Sequence, residues 1–255
     1  MTKKFFTLTI MMVSSLVLGG AAHFPQQSNP MAHSNFGPVM MRRLEEHHVR
    51  PMVALTFDDG PARPTERILD VLEKHDVPAG FFVLGSRINA QPETLVRAAN
   101  LGSELLNHGW SHTDLTTLSR EAIRAEISDT SRAIEGATGI APSRVLRPPY
   151  GRLSNRLRET AGEMGYAIVN WTVDTQDWRS RNAESVFEVV KREVKHGSII
   201  LMHDLHESTA EATELIVPWL IEEGYRIVTV TELLRHFYGE LEPGRVYGTP
   251  NTNVR

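Results

Sequence analysis

MVALTFDDGPARPTERILDVLEKH, residues 52–75, contains one full unit of a repeating architecture. Met52–Phe57 is a short apolar run, as in a strand buried on both faces. It leaves the core through two adjacent carboxylates, Asp58 and Asp59, followed by Gly60 and Pro61. From Pro64 to His75 the apolar residues recur at helical spacing. Asp, Gly and Pro explain a turn. They do not explain two like charges at the end of a buried strand, where repulsion is costly and pKa values are readily perturbed.

The same alternation continues outward from this unit. Further short apolar strands are expected at 79–84, 103–107, 144–147, 166–173, 198–202 and 225–230. Amphipathic segments lie between them, several ending at Gly, the usual helix C-terminal signal. Strand alternating with helix predicts an α/β protein with a parallel sheet and helices outside it. Seven strands suit a doubly wound sheet or a (β/α) barrel with fewer than eight repeats, and periodicity does not choose between the two. No linker interrupts residues 51–238, which read as one domain. Residues 239–255, rich in Gly, Pro and Asn, read as a loose tail.

The N-terminus suggests a compartment. Lys3 and Lys4 precede an apolar run from Phe5 to Leu18 and small residues to Ala22. This is the pattern of a signal peptide cut after Ala22 or, if retained, of an N-terminal anchor. Residues 23–50 read as a polar spacer. The rest of the chain is then expected outside the cytoplasm, secreted or associated with the cell wall or membrane. The formal net charge of −4 becomes about −6 without Lys3 and Lys4, so nucleic acid is not an expected partner. A monomer is expected. The absence of cysteine excludes disulfides, thiolate metal ligands and a Cys nucleophile.

Five polar clusters fall at predicted strand ends. They are Asp58–Asp59, His108–His112 (HGWSH), Arg147–Gly151 (RPPYG), Asp174–Trp178 (DTQDW) and His203–His206 (HDLH). In parallel α/β folds the carboxyl ends of the strands open on one face, where ligands and catalytic groups collect. His108 and His112, four residues apart, can present both imidazoles to one ion. With a carboxylate from a neighbouring strand end they make a His-His-Asp set with open positions, as a hydrolytic zinc site requires. Successive side chains on an extended backbone point opposite ways. One carboxylate of the Asp58–Asp59 pair can therefore face the metal while the other takes a proton beside it. Arg147 is the candidate to keep that second carboxylate ionised. In RPPYG the two prolines lack an N–H, so Tyr150 is the first backbone donor able to meet a developing oxyanion. His203 is the natural general acid, tuned by Asp174 or Asp177. Trp178 is a candidate to wall an apolar pocket or stack on a sugar ring, and Leu201 to line the same pocket.

Taken in order, TFDDGP, HGWSH, RPPYG, DTQDW and LMH resemble the five motifs of the polysaccharide deacetylase family, the NodB-homology or carbohydrate esterase family 4 enzymes. The resemblance spans about residues 51–235. It implies a distorted (β/α) barrel of about seven parallel strands and a divalent metal, usually zinc, with cobalt as an alternative. It implies Asp59, His108 and His112 as ligands and Asp58 as the base, positioned by Arg147. The Tyr150 N–H would face the oxyanion, Asp177 would tune the acid His203, and Trp178 and Leu201 would line the acetyl pocket. Many relatives carry Ser or Thr where this chain has Gly109, which puts one loop hydrogen bond in doubt. An exported member with one such domain resembles the peptidoglycan N-acetylglucosamine deacetylases, so a polysaccharide is the expected partner and amide hydrolysis the expected reaction. Chitooligosaccharide deacetylases and acetylxylan esterases share the motifs. Two other classes compete: a non-catalytic carbohydrate-binding protein, and a non-haem iron oxygenase built on the bare His-His-carboxylate set.

Overall fold

A computed structural model describes residues 50–248. The expected signal peptide or anchor, the spacer up to residue 49 and residues 249–255 lie outside the described residues. Nine strands alternate with helices: β1 (Met52–Asp58), β2 (Gly80–Val83), β3 (Glu104–Asn107), β4 (Val145–Leu146), β5 (Ala167–Val169), β6 (Val173–Asp174), β7 (Ser198–His203), β8 (Arg226–Ile227) and β9 (Val246–Tyr247). The helices are α1 (Arg63–His75), α2 (Pro92–Asn100), α3 (Arg120–Thr138), α4 (Asn155–Glu163), α5 (Asp177–Ser180), α6 (Ala183–Glu193), α7 (Glu207–Glu222) and α8 (Val230–Tyr238).

Every residue of β1 is buried, which is why its sequence lacks polar alternation. Val53, Leu55 and Phe57 pack outward with Ile68, Leu69 and Leu72 of α1 and with Ile216 and Val217 of α7. Met52 and Ala54 belong to a second cluster with Phe82, Leu106, Val169 and Ile199. The two clusters are the outer and inner layers of one curled sheet.

The sheet is parallel throughout, in the order β6-β7-β1-β2-β3-β4-β5-β9, with β8 pairing the start of β1. That order forces curvature. β5 and β6 sit six strand spacings apart along it, about 29 Å if the sheet were flat. Only Asn170, Trp171 and Thr172 connect them, and such a link reaches at most about 14 Å. The sheet therefore curls until its ends approach. Thr172 N–H donates to Ile199 O beside β7 and Asn170 N–H donates to Tyr247 O beside β9, and across the gap a Cβ on Gly248 would lie 3.1 Å from Ile199 Cδ1. This distorted barrel settles the choice that periodicity left open.

Helix α8 closes the end of the barrel where the strands begin. Val230, Leu233 and Leu234 join the inner cluster. A Cβ on Gly80 would lie 2.8 Å from Val230 Cγ2, so the close approach of α8 requires glycine there.

Three expectations need correction. The strand expected at 166–173 is two strands, because residues 170–172 make the seam. The strand expected at 225–230 stops at Ile227, because the Thr229 hydroxyl accepts a hydrogen bond from Glu232 N–H and starts α8. Residues 239–255, expected as a loose tail, include β9, which pairs with β5. Two residues are too few to show a period.

Candidate active site

The open end of the barrel is built from strand termini. Asp58 is the last residue of β1, in register with His203 of β7. Its side chain points inward, 2 % exposed, and Arg147 Nη1 donates to Oδ1 at 2.5 Å. Arg147 is itself 0 % exposed. It donates to Thr56 Oγ1, Val169 O and Asn170 O at 2.9–3.2 Å, and its guanidinium lies 3.8 Å over the Phe82 ring. Burial pushes the Arg147 pKa down and the Asp58 charge opposes that shift. A guanidinium remains charged under these conditions. One buried cation thus ties β1, β4 and the β5–β6 seam together while matching one buried carboxylate.

Asp59 leaves the strand with φ of 76°, a left-handed conformation rare for a residue with a side chain. The turn separates its carboxylate from that of Asp58. Asp59 Oδ1 lies 3.3 Å from His108 Nε2 and 3.2 Å from His112 Nε2. Burial opposes its charge, yet the two imidazoles, when protonated, outweigh that effect and hold Asp59 down at about 2. His108 is buried, and its Nδ1–H donates to Arg147 O at 2.7 Å. That bond fixes the tautomer and leaves the Nε2 lone pair facing Asp59. His112 also takes a left-handed conformation, with φ of 59°. Burial lowers its pKa, favouring the neutral ring.

These contacts test whether a metal fits. Asp59 Oδ1 is buried without a hydrogen-bond partner. The ligating atoms of Asp59, His108 and His112 all lie within 4.8 Å of one another. An acceptor oxygen facing imidazole lone pairs is repulsive on its own and favourable around a cation. Two imidazoles and one carboxylate are an accepted donor set for zinc or cobalt. The residues fit a divalent metal.

Tyr150 sits beside this cluster, its ring 4.6 Å from that of His112 and 60 % exposed. It is a third left-handed residue, with φ of 63°. The turn is closed by Gly151 N–H to Pro148 O and Arg152 N–H to Pro149 O, so the turn does not consume the Tyr150 N–H. On β7, His203 Nδ1 pairs with Asp177 Oδ1 at 2.8 Å. Asp177 Oδ2 accepts from His203 N–H and from Thr209 Oγ1, both at 2.7 Å. Burial opposes charge on His203, but the Asp177 hydrogen bond and charge prevail and push it up to about 9. Asp174, the other candidate, caps Gln176 N–H instead. Leu201 is buried two residues before His203, on the same face of β7. Trp178 stands 52 % exposed on α5, free to meet a ligand's face rather than filling the core.

The family model for polysaccharide deacetylases matches residues 45–169. A family 4 acetyl xylan esterase from Clostridium thermocellum, solved with a cobalt ion, superposes with a TM-score of 0.72 at 35% identity, covering 78% of this chain and 99% of that one. The chain belongs to the polysaccharide deacetylase family. Among curated members of the family it is 42% identical over 183 residues to the peptidoglycan-N-acetylmuramic acid deacetylase PdaC of Bacillus subtilis, covering 71% of this chain and 38% of that protein. It is 40% identical over 197 residues to the peptidoglycan-N-acetylglucosamine deacetylase PgdA of Listeria monocytogenes, covering 76% and 41%. The chain therefore matches about two fifths of the length of these two polysaccharide deacetylases.

Two supports were not anticipated. Asp204, fully buried, places Oδ2 2.6 Å from the Thr65 hydroxyl, and that hydroxyl in turn accepts from Ala62 N–H. A Cβ on Gly60 would lie 2.0 Å from Asp204 Oδ2, so the carboxyl is wedged under the turn that follows Asp59. Its place inside HDLH was the available signal. Glu126 of α3 binds the loop between His108 and His112, and nothing in its sequence context marks it.

Proposed function

We propose that this chain is a metal-dependent N-deacetylase acting on N-acetylglucosamine residues of a polysaccharide, with peptidoglycan as the substrate and a site of action outside the cytoplasm. The observation that carries this reading is a pair of proton-transfer couples, Asp58–Arg147 and His203–Asp177, on adjacent strands beside Asp59, His108 and His112. A protein that only binds glycans has no use for both couples. The leader-like residues 1–22 support export.

Asp59, His108 and His112 would hold the metal, zinc or cobalt. When bound, it supplies Lewis acidity to the acetyl carbonyl and to the attacking water. Asp58, held in place by the Arg147 guanidinium, accepts the proton of that water. The Tyr150 N–H donates to the carbonyl oxygen as charge builds on it. His203, protonated through its pairing with Asp177, gives its proton to the nitrogen as the C–N bond breaks. Acetate and a free amine leave. Trp178 offers a flat face to a sugar ring, and Leu201 an apolar wall to the acetyl methyl.

The test is acetate release from peptidoglycan, chitooligosaccharides and acetylxylan, each with and without chelator. Release from peptidoglycan that chelator abolishes and zinc or cobalt restores supports the proposal. Release only from chitooligosaccharides or acetylxylan reassigns the substrate. Glycan binding without any acetate release assigns a binding protein. Undiminished turnover in Asp59→Ala with no metal bound overturns the mechanism.

A further inference from the structure

His108 and His112 lie at the two ends of a loop that belongs to no strand. The backbone N–H groups between them are nonetheless all matched. Gly109 N–H donates to Asn107 Oδ1 at 2.8 Å, Gly109 O accepts from Gly85 N–H, and Trp110 O accepts from Ser86 N–H. The two N–H groups that remain between the histidines, those of Trp110 and Ser111, both donate to one oxygen of Glu126, at 2.6 and 3.0 Å. The other Glu126 oxygen accepts from Ser111 Oγ at 2.7 Å. Glu126 projects from the long helix α3, which also holds the loop's entry, since Asn107 Nδ2 donates to Ile127 O and Ser131 Oγ. Gly109, with φ of +80°, completes the fit, because a Cβ there would lie 3.2 Å from Glu126 Oε2.

We propose that Glu126 is a positioning residue for the metal site. By gathering three donors of residues 110–111 it fixes the span between His108 and His112, and with it the left-handed backbone that brings His112 Nε2 to Asp59. Glu126 touches neither imidazole and is not a catalytic residue. This inference rests on the proposal above that Asp59, His108 and His112 hold a metal.

The full chain, stripped of metal, is titrated with Zn2+ against a chromophoric chelator as wild type, Glu126→Ala and Glu126→Gln. Thermal unfolding of each metal-free protein is measured in parallel. Gln keeps one carbonyl oxygen for the two N–H groups, and its NH2 can donate to Ser111 Oγ, whose hydrogen, no longer used on Glu126, can turn to Thr113 Oγ1. Glu126→Ala is expected to weaken Zn2+ binding by about 10- to 100-fold, with a melting temperature near that of wild type because water replaces the half-exposed acceptor. Glu126→Gln is expected to restore most of the affinity. The d–d spectrum of bound Co2+ should change in the Ala variant and not in the Gln variant. Wild-type affinity in Glu126→Ala, or an equal loss in Glu126→Gln, overturns the inference, the latter by showing a charge effect. If Glu126→Ala does not fold, Glu126→Asp, which keeps the charge but withdraws the carboxylate from the two N–H groups, takes its place with the same expected loss of Zn2+ affinity and change in the cobalt spectrum. A wild-type chain that binds no Zn2+ sinks the metal reading itself, which is a separate outcome.

Discussion

The two ends of the barrel are made from the same strands and obey opposite rules. At the closed end, inward residues such as Met52, Ala54 and Ile199 meet Val230, Leu233 and Leu234 of α8 in an apolar cluster. At the open end, the next inward residues of the same strands are Thr56, Asp58, Leu201 and His203. One step of the pleat separates a packed core from buried charge. The closed end is stabilised by area removed from water. The open end is held by pairing, since Asp58 and Arg147 are tolerable in the interior only together. The contrast also appears in the backbone. Three of the non-glycine residues with left-handed φ, Asp59, His112 and Tyr150, lie at the open end, and buried supports such as Asp204 sit beneath them.

If the open end carries chemistry and the closed end carries only stability, substitutions at each should separate the two properties. The largest effect expected is on turnover. Asp58→Asn keeps the shape of the side chain and removes its basicity. Acetate release per folded molecule should fall by about 10²- to 10⁴-fold, beyond the loss of stability, about 3–5 kcal/mol, that follows from leaving the buried Arg147 unpaired. A large loss of fold with a small loss of rate would erase the distinction between the two ends.

Next comes stability. Arg147→Ala leaves a buried carboxylate unpaired and should cost about 3–5 kcal/mol in chemical denaturation. Leu233→Ala, at the closed end, should cost about 2–5 kcal/mol by cavity formation. Metal affinity separates the two ends more sharply than stability does, because the folded fraction of Leu233→Ala should bind Zn2+ with wild-type affinity. A tenfold loss there would show that the closed end tunes the site.

The third test uses pH. His203 sits at about 9 because Asp177 outweighs the effect of burial. Its contribution to stability is complete below the unfolded value of 6.5 and is lost as pH rises toward about 9. In Asp177→Asn the alkaline limb of the rate profile should move from near 9 toward 6.5. An unmoved limb would assign it to another group.

The smallest effect is expected at Asp204. Burial raises this carboxyl from 3.8 to about 7, against the Thr65 hydrogen bond. A raised carboxyl in the fold means that stability falls as pH rises from about 4 to 7 and is level above that. Asp204→Asn should flatten this slope, matching wild type at about pH 4 and melting several degrees higher at about pH 8. A parallel slope in the variant would remove Asp204 from the account.

The legibility of the fold and the site in the sequence divides along the same two ends. Strands rich in Val, Leu, Ile and Phe, and helices with clear periodicity, announced the layers around β1. The choice between a flat sheet and a barrel was not legible, because it depends on a three-residue link and on β9, a strand of only two residues. At the open end, residues that are chemically unusual for their place, such as Asp58, His108 and His203, were legible because turn formation does not require them. Glu126 was not, since a Glu on an amphipathic helix looks like any solvated position. Only the folded path of the 108–112 loop shows that its backbone lacks acceptors of its own.

The central strand has a consequence for how the chain comes into being. Among the described residues β1 is the first strand in the chain, yet its partners β7 and β8 are among the last. The Thr56 hydroxyl bonds to Ile200 O, 144 residues onward. A polypeptide emerging from its N-terminus cannot complete its innermost stave until nearly all of it exists, and such long-range pairing slows folding.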